Sequence, residues 1–355
     1  MASLSNLLSY NCFHDASICF MEHPTSFFHL EEERISRHKN DFRPYLALAD
    51  SRDRIKDLKY IFHTTVNNYQ DEERYRSVLD FTFELTKKVD QEDFKDHMLG
   101  EVKYLDWTSD HHLFHAALGF YNSGFEDAIC ISVDGAGALL DEGYEVETIY
   151  ETSYPASFKK LDQKLVAVDS TKGLGIGFVY AGVSAYLGFG SLNCGKLMGL
   201  APYGKFNPDI KSFLIDGEID ETLWERDPSG IILKPLEHVP SVERNELHDI
   251  HSDLAWRVQK DFETYMINLI NKAIDLGQSK NIVLSGGCAL NCVANYEYLK
   301  HLPEGYKLYV EPCSTDSGTS VGMAMYAWRK LTGSTEIYPI KDLYWGPKRD
   351  EYCIL

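Results

Sequence analysis

The chain has 355 residues, 44% of them hydrophobic and 25% charged, a composition typical of globular proteins that argues against a disordered chain. Acidic residues outnumber basic ones by 54 to 35, and the net charge of −19 disfavours broad, non-specific binding to nucleic acid. No apolar run reaches the ~20 residues of a membrane span, and the N-terminus lacks a basic region and an apolar core. We therefore expect a cytoplasmic protein with no membrane segment, and the length predicts about two domains.

The eight cysteines are scattered along the chain and show no C-x-x-C spacing. Several of them, such as Cys130, lie inside apolar runs. This pattern predicts reduced and mostly buried thiols rather than disulfides or a zinc site.

The first part of the chain is predicted to begin with strands. SNLLSYNCF, ASICFM and SFFHLEEE are three strand-like stretches separated by turns, one of which contains Pro24. Mixed spacing of aromatic and charged residues over 54–98 predicts surface helices. VKYLDW is predicted to be a strand, and a helix follows it over about 109–121. DAICISVDGAG then indicates a buried strand that ends in a glycine turn, and the alternation over 144–159 indicates a hairpin.

The second part of the chain is predicted to begin near residue 165. Helices are predicted over 174–188 and 248–276, and 205–245 is predicted to be irregular. NIVLSGGCALN and KLYVEPCSTDSG each indicate a strand and a turn before a helix. The strand–glycine units at DGAG and SGG together suggest two halves of related architecture.

A candidate metal site lies in the stretch SDHHLFHAALGFY. His111 and His115 are four residues apart, so on a helix both rings lie on one face, with Cβ atoms about 5–6 Å apart. This spacing suits two ligands of one ion, and Asp110 or Ser109 is expected to cap the helix. Asp316, at a loop-to-helix junction, is the candidate third ligand. Histidines that only form hydrogen bonds with neighbouring residues remain an equally good interpretation of the pair alone.

Three glycine-containing stretches are candidate phosphate contacts. SVDGAG and LSGGCALN each place glycines at the end of a strand, where backbone N–H groups can meet a phosphate. NCGKLMGLAPYG adds a lysine but is not a Walker A sequence. An ordinary hairpin turn, a tight strand–helix turn and a surface lysine are the respective alternatives. The candidate residues are Asp134, Gly135, Gly137, Lys196, Gly286 and Gly287.

The N-terminal stretches FHDAS and EEERISRHK carry further candidates. His14 lies at a strand–turn junction, where an imidazole can serve as a general base. Arg37 and Lys39 can bind an anionic group, although such a charge run is more often a solvated face.

Taken together and in order, these stretches resemble the NodU/CmcH-type O-carbamoyltransferases, the family that includes tobramycin carbamoyltransferase. The matching stretches extend over about residues 8–328: HDAS, EEERISRHK, HHLFHAALGFYNSGF, ISVDGAG, LGFG, GKLMGLAPYG, LSGGCALN and the loop of Asp316. Each stretch is weak evidence when taken singly, whereas eight of them in this order are specific.

The resemblance implies an α/β fold of the actin/Hsp70/sugar-kinase type, with two ribonuclease-H-like subdomains and a cleft between them. We expect the first subdomain, with its N-terminal hairpin, over 1–165 and the second over 166–340. Residues 341–355 would then be a tail, or the start of the C-terminal YrdC-like domain found in the family. That domain could also act in trans as a partner.

The resemblance also implies a chemistry. ATP and carbamoyl phosphate give carbamoyl adenylate, whose carbamoyl group passes to an acceptor hydroxyl. Family members hold a divalent ion, here expected to be Fe2+, and its ligands correspond to His111, His115 and Asp316. His14 and Lys39 correspond to the transfer site, where we expect a base and a carbamoyl or phosphate contact. The glycine turns at 134–137 and 285–287, together with Asn291, would hold the adenosine and phosphates of the nucleotide.

Several functions remain open at the level of sequence. The acceptor could be a small molecule with a hydroxyl group or a hydroxymethylated nucleobase, and the net charge argues mildly against the nucleobase. Threonylcarbamoyl transfer to tRNA is disfavoured by the HDAS and RHK segments and by the absence of a Glu between the two histidines. A catalytically silent nucleotide-binding subunit is a third possibility. A sugar kinase is a fourth, but it would not need the histidine pair.

Overall fold

The structure is a computed structural model that describes residues 6–55, 58–64, 78, 98–99, 102–106, 108–227, 230–242 and 247–347. The chain forms two compact units, each built from separate stretches. The first unit contains Met1–Ala128, Thr152–Phe158 and Glu311–Leu355, and the second contains Ile129–Glu151 and Lys159–Val310. The expected division near residue 165 into two ribonuclease-H-like subdomains stays a prediction.

Strands and helices alternate along much of the chain, which makes the protein a member of the α/β class. In chain order the strands are β1 (Asn6–Asn11), β2 (Ser17–His23), β3 (Ser26–Glu31), β4 (Leu58–Thr64), β5 (Met98–Leu99), β6 (Val102–Asp106), β7 (Asp127–Val133), β8 (Leu139–Leu140), β9 (Gly143–Ser153), β10 (Ser157–Val166), β11 (Leu214–Ile215), β12 (Glu218–Ile219), β13 (Trp224–Asp227), β14 (Gly230–Leu233), β15 (Asn281–Ser285) and β16 (Lys307–Val310). The helices are α1 (Glu33–Ser36), α2 (Tyr45–Ser51), α3 (His111–Ser123), α4 (Ile176–Tyr186), α5 (Cys194–Leu200), α6 (Asp249–Leu276), α7 (Cys292–His301) and α8 (Ser317–Thr332).

The sheet of the first unit has the strand order β3-β2-β1-β4-β6-β5. β1, β2 and β3 form an antiparallel meander, while β4 runs parallel to β1 and β6 runs parallel to β4. Side chains alternate across this sheet. Leu8 and Tyr10 of β1 therefore enter a hydrophobic core with Ala47 and Leu48 of α2, whereas Ser9 points to the opposite face, which α8 covers.

The sheet of the second unit has the order β10-β9-β7-β15-β16. β15 is parallel to both β7 and β16. In the first sheet β1 lies between β2 and β3 on one side and the parallel strands β4 and β6 on the other. In the second sheet β7 lies between β9 and β10 on one side and the parallel strands β15 and β16 on the other, and β8 pairs with β9 outside this order. The two sheets therefore share this local order. The strand–glycine units DGAG and SGG, which suggested two halves, follow β7 and β15 and so lie in one sheet of the second unit. The 28-residue helix α6 packs against α4, α5 and α7 and supplies much of this unit's hydrophobic core.

Most predicted elements are confirmed, including the three N-terminal strands, the 144–159 hairpin and the helices near 111, 176, 249 and 317. The helical prediction for 54–98 is wrong for Leu58–Thr64, which form β4 in the interior of the first sheet. Ile61 and Phe62 are buried, as is typical of a central parallel strand, and the charged residues nearby obscured that pattern. Most of the remainder of 54–98 lies outside the described residues.

The cysteine prediction is confirmed for the part of the chain that the structure describes. The seven cysteines found there form no disulfide, and four of them are buried, namely Cys12, Cys19, Cys130 and Cys288. Among the described helices, none combines the length and apolar character that crossing a membrane requires.

Candidate functional site

Two glycines let helices α3 and α8 of the first unit approach until their backbones touch. A Cβ atom on Gly322 would lie 2.1 Å from the carbonyl oxygen of Phe114, and one on Gly318 would lie 2.6 Å from a methyl of Leu118. A larger residue at Gly322 would have to move a helix, and one at Gly318 would also collide with the carbonyl oxygen of Cys313, 2.0 Å away. The spacing Gly-x-x-x-Gly puts both glycines on one face of α8, and this contact brings the start of α8 to the histidines of α3.

His111, His115 and Asp316 converge at this contact. The two Nε2 atoms are 3.1 Å apart, and Oδ1 of Asp316 lies 3.4 Å from each of them. Both histidines are fully buried, and Asp316 is 2% exposed. The structure therefore brings together three residues that the sequence separates by up to 205 positions, and their ligand atoms lie within 4.8 Å of one another.

The three atoms have the spacing that a single metal ion requires. With metal–ligand bonds of about 2.1 Å, these separations correspond to angles of roughly 95° between the histidines and roughly 108° from each histidine to Asp316. Such angles lie between the octahedral and tetrahedral values. Two imidazoles and a carboxylate on one face of an ion form the ligand set of non-haem iron sites, which leaves other positions open. The residues present thus fit a divalent ion.

Asp316 directs its carboxylate at the histidines rather than at its own helix. It occupies the N-cap position of α8, yet its side chain accepts no capping hydrogen bond. Burial raises the pKa of Asp316. The charges of His14 and His111 and the hydrogen bonds from His111 and His115 outweigh burial and hold this pKa well below its ordinary value. The carboxylate is therefore ionised. Asp110, one of the two residues expected to cap α3, does hold its N-cap position, but its side chain makes no capping hydrogen bond.

His14 lies beside the same carboxylate. Its Nε2 is 3.5 Å from Oδ2 of Asp316, and its Nδ1 is 3.2 Å from Oδ2 of Asp15. Asp15 adopts the left-handed conformation, with φ of 57°, and Asn11 donates from its side chain to the carbonyl oxygen of His14 at 3.1 Å. The HDAS loop is therefore a turn that holds the imidazole of His14 3.5 Å from the carboxylate of Asp316, a candidate metal ligand.

The segment that contains Lys39 packs against this loop. Asn40 donates from its side chain to Oδ1 of Asp15 at 2.7 Å, and the backbone N–H of Ala16 donates to the carbonyl of Asp41 at 2.9 Å. The Lys39 side chain is exposed. The structure thus places the segments of His14 and Lys39 side by side.

In the second unit, two glycine turns meet at the end of β7. Gly286 has φ of +85°, and a Cβ there would lie 2.3 Å from the carbonyl oxygen of Val133. A Cβ on Gly287 would lie 2.8 Å from Oδ1 of Asp134, and one on Gly177 would lie 2.3 Å from the Asp134 carbonyl. Gly135 faces open space. These glycines therefore allow the backbones of DGAG, SGG and the first turn of α4 to lie against one another.

The neighbouring polar residues hold the start of α7. Asn291 accepts a capping hydrogen bond from the N–H of Ala294 at 3.1 Å, and it exchanges two hydrogen bonds with the side chain of Gln259, at 3.0 and 3.1 Å. Gly137 donates its N–H to the carbonyl of Glu145 at 2.7 Å, inside the turn after β7. Lys196 is an exposed residue of α5. Asn291 is thus buried in this turn, and its expected contact with the nucleotide stays a prediction.

These features define an α/β protein with a buried cluster of two histidines and one carboxylate and with glycine turns at the ends of parallel strands. The family model described as "Carbamoyltransferase N-terminus" matches residues 8–325. The chain therefore belongs to the carbamoyltransferase N-terminus family, as its motifs predicted.

Curated relatives agree with this assignment. The nodulation protein NolNO of Sinorhizobium fredii is 27% identical over 248 residues, which cover 67% of this chain and 33% of that protein. The 3'-hydroxymethylcephem-O-carbamoyltransferase of Streptomyces clavuligerus is 28% identical over 148 residues, covering 41% of this chain and 27% of that protein. The chain thus spans about a third or less of the length of these relatives.

Solved structures show the fold. Full-length HypF, in a phosphate- and nucleotide-bound form, is 16% identical with a TM-score of 0.55, over 93% of this chain and 56% of HypF. HypF of T. kodakarensis is 15% identical with a TM-score of 0.57, over 94% of this chain and 49% of that protein. The chain therefore has a HypF-like fold over nearly its whole length.

The sequence analysis missed the residues that shape the site. Gly318 and Gly322 lie in the helix that begins after Asp316, and their spacing was a visible signal of close helix packing. Polar residues of the first sheet that contact the start of α8 had no comparable signal, because their partner lies about 300 positions away.

Proposed function

We propose that this chain is the transfer part of a metal-dependent O-carbamoyltransferase that moves a carbamoyl group from carbamoyl adenylate to an acceptor hydroxyl. The carrying observation is the convergence of His111, His115 and Asp316, with His14 beside them, in a chain of the carbamoyltransferase N-terminus family. The finer fold that we propose is the actin/Hsp70/sugar-kinase type, with two ribonuclease-H-like subdomains. The arrangement of strands around β1 in one sheet and around β7 in the other supports it.

The metal would be held by His111, His115 and Asp316. The two-histidine, one-carboxylate set favours Fe2+ among the divalent ions, since its facial arrangement and open positions match non-haem iron sites. When bound, a divalent ion supplies positive charge that neutralises phosphate oxygens. The protein's contribution is a buried pocket in which an ionised Asp316 and two histidines are already oriented.

The nucleotide, ATP or carbamoyl adenylate, would use the turns of the second unit. Backbone N–H groups of the turns at 134–137 and 285–287 are candidate phosphate donors, because their glycines leave the backbone accessible. Gly135 is the clearest case, since the space beside it is open. Lys196 is a candidate contact of the same anion, and its exposure on α5 leaves its ammonium group available to solvent.

His14 would be the base of the transfer step. In its neutral form, with Nδ1–H donated to Asp15, His14 carries a lone pair on Nε2 that can take the proton of the acceptor hydroxyl. The hydroxyl oxygen then bonds to the carbamoyl carbon, the bond from that carbon to the phosphate oxygen breaks, and AMP leaves with the electron pair. Lys39, on the segment beside this loop, would contact the carbamoyl or phosphate oxygens.

The first experiment measures metal in protein purified under anaerobic conditions. We expect about one equivalent of iron in the parent chain and a sharp loss in His111→Ala and His115→Ala. His301→Ala is the matched control, since His301 is an exposed residue of the second unit, and it should keep its metal. A parent chain without any divalent metal would show that the site assignment is wrong.

The second experiment measures transfer. Synthetic carbamoyl adenylate is supplied with a panel of hydroxyl acceptors, including small molecules and hydroxymethylated nucleobases, and products are examined for the mass of one added carbamoyl group. His14→Asn should lose transfer and keep nucleotide binding. Tight ATP binding with no transfer to any acceptor would instead favour the silent subunit. Product formed only with threonylcarbamoyl adenylate and tRNA would favour the tRNA-modifying alternative.

The supply of carbamoyl adenylate belongs to the same proposal. Carbamoyl phosphate and ATP are the expected precursors, and a YrdC-like domain, in the same protein or in trans, is the expected partner. Adding such a domain with both precursors should replace synthetic carbamoyl adenylate in the transfer assay.

A further inference from the structure

The carbonyl oxygen of Ser317 is held by several donors at the start of α8. It accepts hydrogen bonds from Oγ of Ser17 at 2.7 Å, from Nε2 of His29 at 3.0 Å and from Oγ of Ser320 at 3.0 Å. Ser17, Ser317 and Ser320 are fully buried, and His29 is 7% exposed. Two of the donors come from neighbouring strands of the first sheet, so this carbonyl is fixed from outside its own helix.

Ser317 directly follows the proposed metal ligand Asp316. Its hydroxyl also donates to Oε1 of Glu31 at 2.8 Å, so strand β3 holds both polar groups of this residue. The Ser317 carbonyl lies one residue along the backbone from the Cα of Asp316, so a shift of this carbonyl moves the start of α8, which carries the Asp316 side chain. Metal sites tolerate deviations of only about 0.2 Å in ligand distance, so a small shift here changes the site.

His29 is in turn held by the segment after α8. Its backbone N–H donates to the carbonyl oxygen of Trp345 at 2.7 Å, and its ring meets the Trp345 ring edge-on, with centroids 6.2 Å apart. The Trp345 ring also contacts Phe27, at 5.6 Å. A continuous set of contacts thus connects Trp345 to His29, His29 to Ser317, and Ser317 to Asp316.

We propose that His29 is a positioning residue of the metal site, which fixes Asp316 through the Ser317 carbonyl and is itself oriented by Trp345. This inference rests on the proposed function, because it takes Asp316 as a metal ligand. Residues that orient metal ligands typically change metal affinity by about 10- to 100-fold when they are replaced. A residue that served packing alone would lower the stability of the metal-free protein and leave the affinity of its folded form unchanged.

The test compares His29→Leu with His29→Gln, whose amide can restore a donor near the position of Nε2. Affinities for Fe2+ are measured under anaerobic conditions by competition with a chelator, and thermal unfolding of the metal-free form is recorded separately. Co2+ serves as a second probe, because its visible absorption reports ligand geometry. We expect about 10-fold or greater loss of affinity and an altered Co2+ spectrum in His29→Leu, with substantial recovery in His29→Gln.

Two further variants keep the test decisive if His29→Leu does not fold. Ser17→Ala removes another donor of the same carbonyl and should also weaken metal binding. Trp345→Ala should weaken it by a smaller factor, whereas Tyr344→Ala, at a neighbouring side chain that is 95% exposed, is the matched control and should not. Parent-like affinity in the folded His29 and Ser17 variants would overturn this inference and leave the proposed function standing. A parent chain that binds neither metal would refute the proposed function itself.

Discussion

Replacement of Gly322 by alanine tests whether helix packing sets the metal geometry. The added Cβ would lie 2.1 Å from the carbonyl oxygen of Phe114, and such contacts are essentially never shorter than 3.0 Å. Helices α3 and α8 must therefore separate by about 0.9 Å at this point. Phe114 directly precedes His115, so the separation acts on the metal ligands themselves.

The size of the effect follows from the ligand distances. If the helices part as rigid bodies along the line that joins the two atoms, the distance of 3.4 Å between Nε2 of His115 and Oδ1 of Asp316 grows to as much as about 4.3 Å. Two metal bonds of about 2.1 Å span at most about 4.2 Å, and only when they are collinear. One ion then cannot bind both residues with normal geometry, and we expect metal affinity to fall at least 10-fold.

The effect on stability should be smaller. Overpacking lowers the free energy of unfolding by about 1–3 kcal/mol, while replacing a helical glycine by alanine raises it by up to about 1 kcal/mol. We therefore expect a thermal midpoint only a few degrees lower for the metal-free protein. The assay is iron content after anaerobic purification, followed by titration against a chelator.

The matched control is Gly199→Ala. Gly199 is also a helical glycine, in α5, and no atom lies within 4 Å of the Cβ it would gain. This variant should keep the parent's metal content. If folded Gly322→Ala also binds iron with the parent's affinity, the argument that backbone contact sets the ligand distances is refuted.

Two other outcomes are expected in the second unit. Gly286→Ala should weaken ATP binding at least 10-fold and leave the metal content unchanged. Gly286 has φ of +85°, and the added Cβ would lie 2.3 Å from the Val133 carbonyl oxygen, so the alanine must displace the turn. Equilibrium binding of a fluorescent ATP analogue measures the effect. Burial raises the pKa of Glu147 above its ordinary value despite the charge of Lys164 and the hydrogen bond from Tyr265. The folded protein thus binds the proton of the Glu147 carboxyl more tightly than the unfolded chain does. The stability that this proton contributes to the folded state is present at low pH and is lost as the pH rises through the raised pKa. Glu147→Gln should therefore gain stability relative to the parent between about pH 4 and about pH 7, and equal differences in thermal midpoint at the two values would contradict this.

The sequence by itself determined the local structure and the family. Hydrophobic periodicity located most described helices and strands, and glycines after apolar runs located the turns at 135 and 286. The pair His111 and His115 followed from helical spacing alone, since residues four apart share one face. The family followed from eight ordered motifs, and the match over residues 8–325 confirms it.

Other features depended on contacts between residues far apart in the chain. Strand β4 was missed because burial in the interior of a sheet, rather than its own alternating pattern, determines its residues. Asp316 could be named from sequence only as a candidate, since its distance of 3.4 Å from both histidines depends on how closely α3 and α8 approach. That approach is set by Gly318 and Gly322, where the absence of a side chain matters only once the facing helix is known.

The hydrogen bonds to the Ser317 carbonyl show most clearly the difference between what the sequence determined and what the tertiary structure decided. Ser17, His29 and Ser317 are ordinary residues in the sequence, and nothing in their local pattern relates them. Their hydrogen bonds join positions 288 and 300 residues apart. Local sequence determines helices and turns because it acts through neighbouring backbone conformations, whereas tertiary packing alone decides which polar groups meet in the core and hold a ligand in place.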